Sequence, residues 1–144
     1  MKLAIVGLGG SYSDYIAARI RSEHFDEVWG INCVGGIIHV DKTIMMDPVS
    51  RFLDSDDAGS QTGIARKFLE KNTKPIITCE MDSRVKHLEL YPLEAVIKDL
   101  NICYFNNTVP YAIAYAIYYG VKELCLYGLD YTYKNVSIAE AGRA

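Results

Sequence analysis

The 144-residue sequence contains no Cys-x-x-Cys pair, no basic run and no apolar stretch near membrane-spanning length. Each absence removes a class of function. A span needs about 20 consecutive apolar residues, so no membrane partner is expected. Lys and Arg are scattered and the net charge is −3, which speaks against nucleic acid as a partner. No signal-peptide pattern precedes the first apolar run, and the expected location is cytoplasmic. The four cysteines, Cys33, Cys79, Cys103 and Cys125, have no metal-ligand spacing with one another or with His24, His39 and His87, so no metal is assigned. Three of them lie in or at the end of apolar runs and read as buried reduced thiols in strands.

Catalytic signatures are missing as well. There is no Gly-x-Ser-x-Gly elbow. No Gly-Lys-Ser/Thr follows the one glycine-rich turn, so it is not a Walker loop. The dinucleotide fingerprint Gly-x-Gly-x-x-Gly is met at Gly7 and Gly9, but its third position is Tyr12. The second strand ends in Asn32 where an NAD site wants an acid to hold the ribose. A dehydrogenase is therefore disfavoured; an S-adenosylmethionine site usually wants the same acid but stays open as an alternative.

What is present is a regular alternation. Leu3 to Val6 is an apolar run that ends in Gly7-Leu8-Gly9-Gly10, and Ser11 precedes a helix expected over 15–20. That is a strand, a glycine turn and a helix N-terminus, a junction that turns backbone N–H groups toward an anion. Residues 26–33 read as a second strand ending near Asn32, followed by a turn at Gly35-Gly36. Residues 43–46 read as a strand that stops at Asp47-Pro48. The polar stretch 49–62 reads as a surface loop. A helix is expected over 64–70, a strand over 75–79, a helix beginning near Pro92, a strand over 101–105, an apolar helix over 109–119 buried on most sides, and a strand over 121–127. The stretch 85–100 is harder to place, although Leu93, Val96, Ile97 and Leu100 fit the face of the helix that Pro92 would start. Eleven tyrosines, eight of them between Tyr104 and Tyr133, fit either the amphipathic rim of a sheet or an aromatic wall beside a pocket.

Strands alternating with helices imply an α/β fold, a Rossmann-like three-layer sandwich with a mostly parallel sheet. The length suits a single domain, 1–144. Its last residues read as the opening of a helix, as in a domain truncated at its C-terminus. In such a sheet ligands bind beyond the carboxyl ends of the strands. The polar groups expected there are Gly7, Gly9, Gly10, Ser11, Asn32, Asp47, Glu80, Asp82, Asn106, Asn107, Thr108 and Asp130. Turns use the same residue types, so part of this pattern follows from strand endings alone.

The phrases Ile5-Val-Gly-Leu-Gly-Gly-Ser11, Val28-Trp-Gly-Ile-Asn32, Asp47-Pro48, Phe105-Asn-Asn-Thr108 and Gly120-Val-Lys-Glu-Leu-Cys-Leu-Tyr-Gly-Leu-Asp130 carry a resemblance. In that order the chain resembles the nucleotide-binding half of bacterial sialyltransferases with a variant Rossmann fold. It also resembles the related DUF115, or pterin-diphosphokinase-like, proteins, and bacteriophage proteins with the same phrases. The likeness implies that the glycine turn and Asn32 meet a cytidine nucleotide, that Asn107 and Thr108 contact the donor, and that Asp130 holds the sugar nucleotide. Two departures stand out. Leu8 occupies the place of an Asn between the family's glycines, and no His follows Asp130 to act as general base.

The first expectation is thus a nucleotide- or nucleotide-sugar-binding domain whose partner is a small-molecule nucleotide. If it is an enzyme, it is a transferase using a nucleotide-activated donor, with Asp130 as the catalytic carboxylate. No cofactor is assigned beyond a cytidine or other mononucleotide. A second expectation, from a different class, is a non-catalytic assembly or adaptor protein that uses the fold as a scaffold and forms a homo-oligomer. A third, a metal-independent hydrolase using Asp47, Glu80 or Asp130, has only the carboxylates in its favour.

Overall fold

A computed structural model of the chain describes residues 1–56, 59, 61–101 and 107–129. Its elements in chain order are β1 (Lys2–Val6), α1 (Tyr12–Ile20), β2 (Glu27–Ile31), β3 (Lys42–Met45), α2 (Ser50–Leu53), α3 (Gln61–Lys71), β4 (Ile76–Thr78), β5 (Leu88–Leu90), α4 (Leu93–Leu100), α5 (Thr108–Tyr118) and β6 (Glu123–Tyr127). The six strands form one sheet in the order β5-β4-β3-β2-β1-β6, and every pairing is parallel. The chain is an α/β, Rossmann-like sandwich.

The layers follow from the two-residue period of the strands. In β1, Leu3 and Ile5 face one way and Ala4 and Val6 the other, and all four are fully buried. Leu3 and Ile5 join Trp29, Ile31, Ile44 and Ile77 in a core closed by Val96 of α4 and by Ala112, Tyr115 and Ala116 of α5. On the opposite face, Ala4, Val6 and Val28 pack under Tyr15 and Ala18 of α1. Further along that face, Met45 and Ile76 pack under Ala65, Phe68 and Leu69 of α3. Burial on both faces explains why β1 reads as an unbroken apolar run. Each such Leu or Ile contributes about 1.5–3 kcal/mol by leaving water.

Several boundaries differ from the sequence reading, for local reasons. Helix α1 begins at Tyr12, three residues earlier than expected, directly after the Gly9–Ser11 turn. Strand β2 stops at Ile31, because Asn32 adopts a left-handed φ of 55° and opens a 3-10 turn, Asn32–Gly36. Within the polar stretch 49–62, Ser50–Leu53 is a helical turn that buries Phe52. Strand β5 was missed. It is a three-residue edge strand that buries Leu88 while Glu89 and Leu90 stay exposed, so its alternation is too short to register.

One burial expectation is overturned, and another holds for residues 108–116 of α5 but not for its last turn. Cys33 and Cys125 are only half-buried and Cys79 is exposed at the carboxyl end of β4, so none of these three thiols is interior, and Cys103 lies outside the described residues. Helix α5 buries Ala112, Ala114, Tyr115 and Ala116, but Ile117 is 51% and Tyr118 39% exposed. Its small alanines seat it close against the sheet, which leaves the bulkier residues of its last turn outside. The expected strand over 101–105 lies outside the described residues apart from Asn101, which ends α4 in the left-handed conformation. Among the described residues no helix is long and apolar enough to cross a membrane.

Candidate functional site

The described strands all run the same way, so the carboxyl ends of β1, β2, β3, β4 and β6 share one rim. From β1 the chain moves outward through β2, β3, β4 and β5, then returns to place β6 on the other side of β1. The order therefore reverses between β1 and β6, which is where open parallel sheets take ligands. Across this rim stand Gly128 after β6, Gly7 after β1, Asn32 after β2, Asp47 after β3 and Glu80 after β4. Neighbouring strands lie about 4.8 Å apart, so the glycine turn and Asn32 are one strand spacing from each other.

The glycine turn is built into this reversal. Gly7 N–H donates to the Tyr127 carbonyl at 2.8 Å and Gly9 N–H to the Gly128 carbonyl at 2.7 Å. The Ser11 hydroxyl does not cap its own helix but accepts from Gly128 N–H at 2.8 Å. A Cβ on Gly7 would stand 2.7 Å from both the Gly128 carbonyl oxygen and the Leu129 side chain. Gly128 has φ 69°, and a Cβ there would overlap the Gly7 backbone. The glycines thus serve a close approach between two strand ends. The N–H groups of Gly7 and Gly9 are used for that contact, and Asp14 already complements the positive end of α1.

Asn32 is different. Its side chain is exposed and makes no hydrogen bond among the described residues. Its left-handed backbone is one that Asn tolerates better than most residues, which gives it a structural reason as well. Asp47 pairs with Arg51 one helical turn on, at 3.2 Å. Asn107 is the N-cap of α5, its Oδ1 accepting from Val109 N–H at 3.0 Å, and Thr108 is the first residue of that helix. Asn106 and Asp130 lie outside the described residues.

The rim's ionisable groups were only partly foreseen. Arg84 bonds Asp54 through both terminal nitrogens, at 2.6 and 2.9 Å, and reaches Asp82 at 2.7 Å. These bonds hold the Asp82 carboxyl down at about 2 and lower that of Asp54. A carboxylate so held is a poor proton acceptor near neutral pH. Glu80 has no ion-pair partner among the described residues. Although Cys79 is exposed as a residue, partial desolvation of its sulfur, with the Glu80 and Asp47 charges adding, outweighs its hydrogen bonds and raises the thiol, so it stays protonated and weakly nucleophilic.

The histidines are all at the other end of the sheet. His24, His39 and His87 precede β2, β3 and β5. His24 lies 3.1 Å from Asp26 and His39 3.4 Å from Asp41. None can serve the rim as a base. Among the described residues no group of three or more His, Cys, Asp or Glu is placed to hold a metal. The described rim can hold a polar ligand through Asn32 and exposed backbone, and it offers no imidazole for proton transfer.

Gly128, Arg51 and Arg84 belong to this rim and were not singled out from the sequence. Gly128 carried a signal in the Tyr-Gly-Leu phrase after an apolar strand. The arginines carried none, since their partners are set by loop packing. No protein-family model, curated protein or solved structure matches the chain.

Proposed function

We propose that this chain is a binding domain for a mononucleotide or nucleotide-sugar, seated on the rim between the Gly7–Ser11 turn and Asn32. The observation that carries the reading is the exposed, unspent Asn32 amide, one strand spacing from the glycine turn at the reversal of strand order. An amide offers both a donor and an acceptor, which suits the edge of a base or a ribose hydroxyl. The resemblance to sialyltransferase nucleotide domains points to cytidine first. Asn107, Thr108 and Asp130 keep the donor-facing roles that the resemblance implies, and any transfer chemistry would rest on a carboxylate rather than on histidine.

Isothermal titration of cytidine mono- and diphosphate, a cytidine nucleotide-sugar and the corresponding adenine, guanine and uracil nucleotides tests the reading. Asn32→Gly is the informative variant. Glycine accepts φ 55° without strain, so it removes the amide while leaving the turn intact. Saturable binding that weakens in this variant supports the proposal, and absence of binding by every nucleotide to folded protein rejects it.

A second reading has its own observation. The close approach of Gly7 and Gly128 and the Ser11 bond to Gly128 account for the glycine turn with no ligand at all. On that reading the fold is a scaffold for self-assembly. Sedimentation velocity separates the two: a monomer at all concentrations argues against the scaffold, and a defined oligomer with no nucleotide binding argues for it.

A further inference from the structure

We propose that Trp29, Tyr115 and Tyr119 form a cage for an alkylammonium group, and that Lys42 of the same chain fills it in the free protein. The Lys42 Nζ lies 5.2 Å from the Trp29 ring centroid, 5.3 Å from that of Tyr115 and 5.0 Å from that of Tyr119. Each ring presents a negative π-face to a cation at this range. Lys42 has no carboxylate within ion-pairing distance among the described residues. A lysine ammonium is strongly hydrated and ordinarily held by water or a carboxylate. Here rings alone hold it, which is the chemistry of sites that take methylated or quaternary ammonium ions.

The walls have a clear origin. Trp29 of β2 and Lys42 of β3 are register partners on one sheet face. Tyr115 and Tyr119, four residues apart at the end of α5, come down over them. Trp29 and Tyr115 are buried at 1% and 3% exposure, and their rings meet edge-on at 5.4 Å. Tyr119 is 57% exposed and 4.7 Å from the Tyr115 ring. The cage therefore has two fixed walls and one that solvent reaches. It lies toward the amino ends of the strands, away from the nucleotide rim, and does not depend on that reading.

Lys42 is tethered, so a free ligand must displace a group whose effective concentration is in the millimolar range or above. The wild type should bind alkylammonium weakly, and removal of the Lys42 charge should expose the site. Trp29 is the single tryptophan, so its fluorescence reports directly. Tetramethylammonium chloride is titrated into the wild type, Lys42→Gln and Lys42→Gln/Tyr119→Ala, against sodium chloride at equal ionic strength. The expected result is a saturable change in Lys42→Gln, at about tenfold or greater apparent affinity than the wild type, and its loss in the double variant. A Lys42→Gln response equal to that with sodium chloride overturns the proposal, as does an unchanged response in the double variant.

A second measurement needs no substitution. After reductive dimethylation of the lysines with labelled formaldehyde, the Lys42 methyl resonance should lie upfield of the others through the ring currents. Added tetramethylammonium should return it toward the exposed-lysine position. A Lys42 resonance at the exposed-lysine position from the start, or one that does not move, overturns the proposal.

Discussion

Gly7 and Gly128 meet backbone to backbone: a Cβ on Gly7 would stand 2.7 Å from the Gly128 carbonyl oxygen, and one on Gly128 would overlap Gly7. Gly128→Ala should therefore cost about 3 kcal/mol or more, the left-handed strain plus the overlap. Gly120→Ala is the control. Gly120 also has positive φ, 81°, but open space around it, so it should lose only about 1–2 kcal/mol. Urea denaturation of the two variants measures the difference, and equal losses would remove the close approach from the account.

The Asn107 cap separates structure from ligand contact. Asn107→Ala should lose about 1 kcal/mol of stability with the bond to Val109 N–H, while Asn107→Ser keeps a capping oxygen and should lose a few tenths. If Asn107 also orients a donor, Asn107→Ser will bind nucleotide-sugar less tightly than the wild type while denaturing at nearly the same urea concentration. An unchanged affinity leaves the residue with the cap alone.

Acid should weaken the Arg84 cluster. The Asp82 carboxyl sits at about 2 in the fold against an ordinary 3.8, and the Asp54 carboxyl is lowered as well. Lowered carboxylates bind fewer protons folded than unfolded. Their contribution is complete above about pH 4 and is lost as pH falls toward 2. Denaturation midpoints between pH 5 and 2 should fall more steeply in the wild type than in Arg84→Gln. Because Arg84 and Asp54 are exposed, 1 M salt should shrink the difference. Parallel acid limbs would contradict the assignment.

Thr43 is fully buried in β3 and its hydroxyl has no hydrogen-bond partner among the described residues. Valine has nearly the same shape without the unsatisfied oxygen. Thr43→Val should gain about 1 kcal/mol in urea denaturation. A loss would mean that the hydroxyl is paired in solution.

The parts of the fold that were legible in the sequence are those carried by local patterns. Leu3 to Val6 with Gly7-Leu8-Gly9 announces a buried strand and its turn, and the alternation with helices announces a parallel sheet. One rim for Gly7, Asn32, Asp47 and Glu80 then follows from strand direction. What stayed hidden depends on contacts across the fold. Gly128 cannot be matched to Gly7 until β6 is known to lie beside β1. Lys42 sits among Trp29, Tyr115 and Tyr119 only because β2, β3 and α5 converge. Leu88–Leu90 was hidden for another reason, being an edge strand with one buried side chain. The turn residues also had two readings each, and the structure gives Asn107 and Gly7 firm mechanical tasks while leaving the Asn32 amide unspent.

Isothermal titration of the cytidine nucleotides into the wild type and Asn32→Gly tests the central claim most directly. The account predicts saturable binding to the wild type, weakened about tenfold or more when the amide is removed, with no change in urea midpoint beyond a few tenths of a kcal/mol. Binding that is equal in the two proteins would move the site away from Asn32. No binding of cytidine or any other nucleotide to either folded protein would contradict the account.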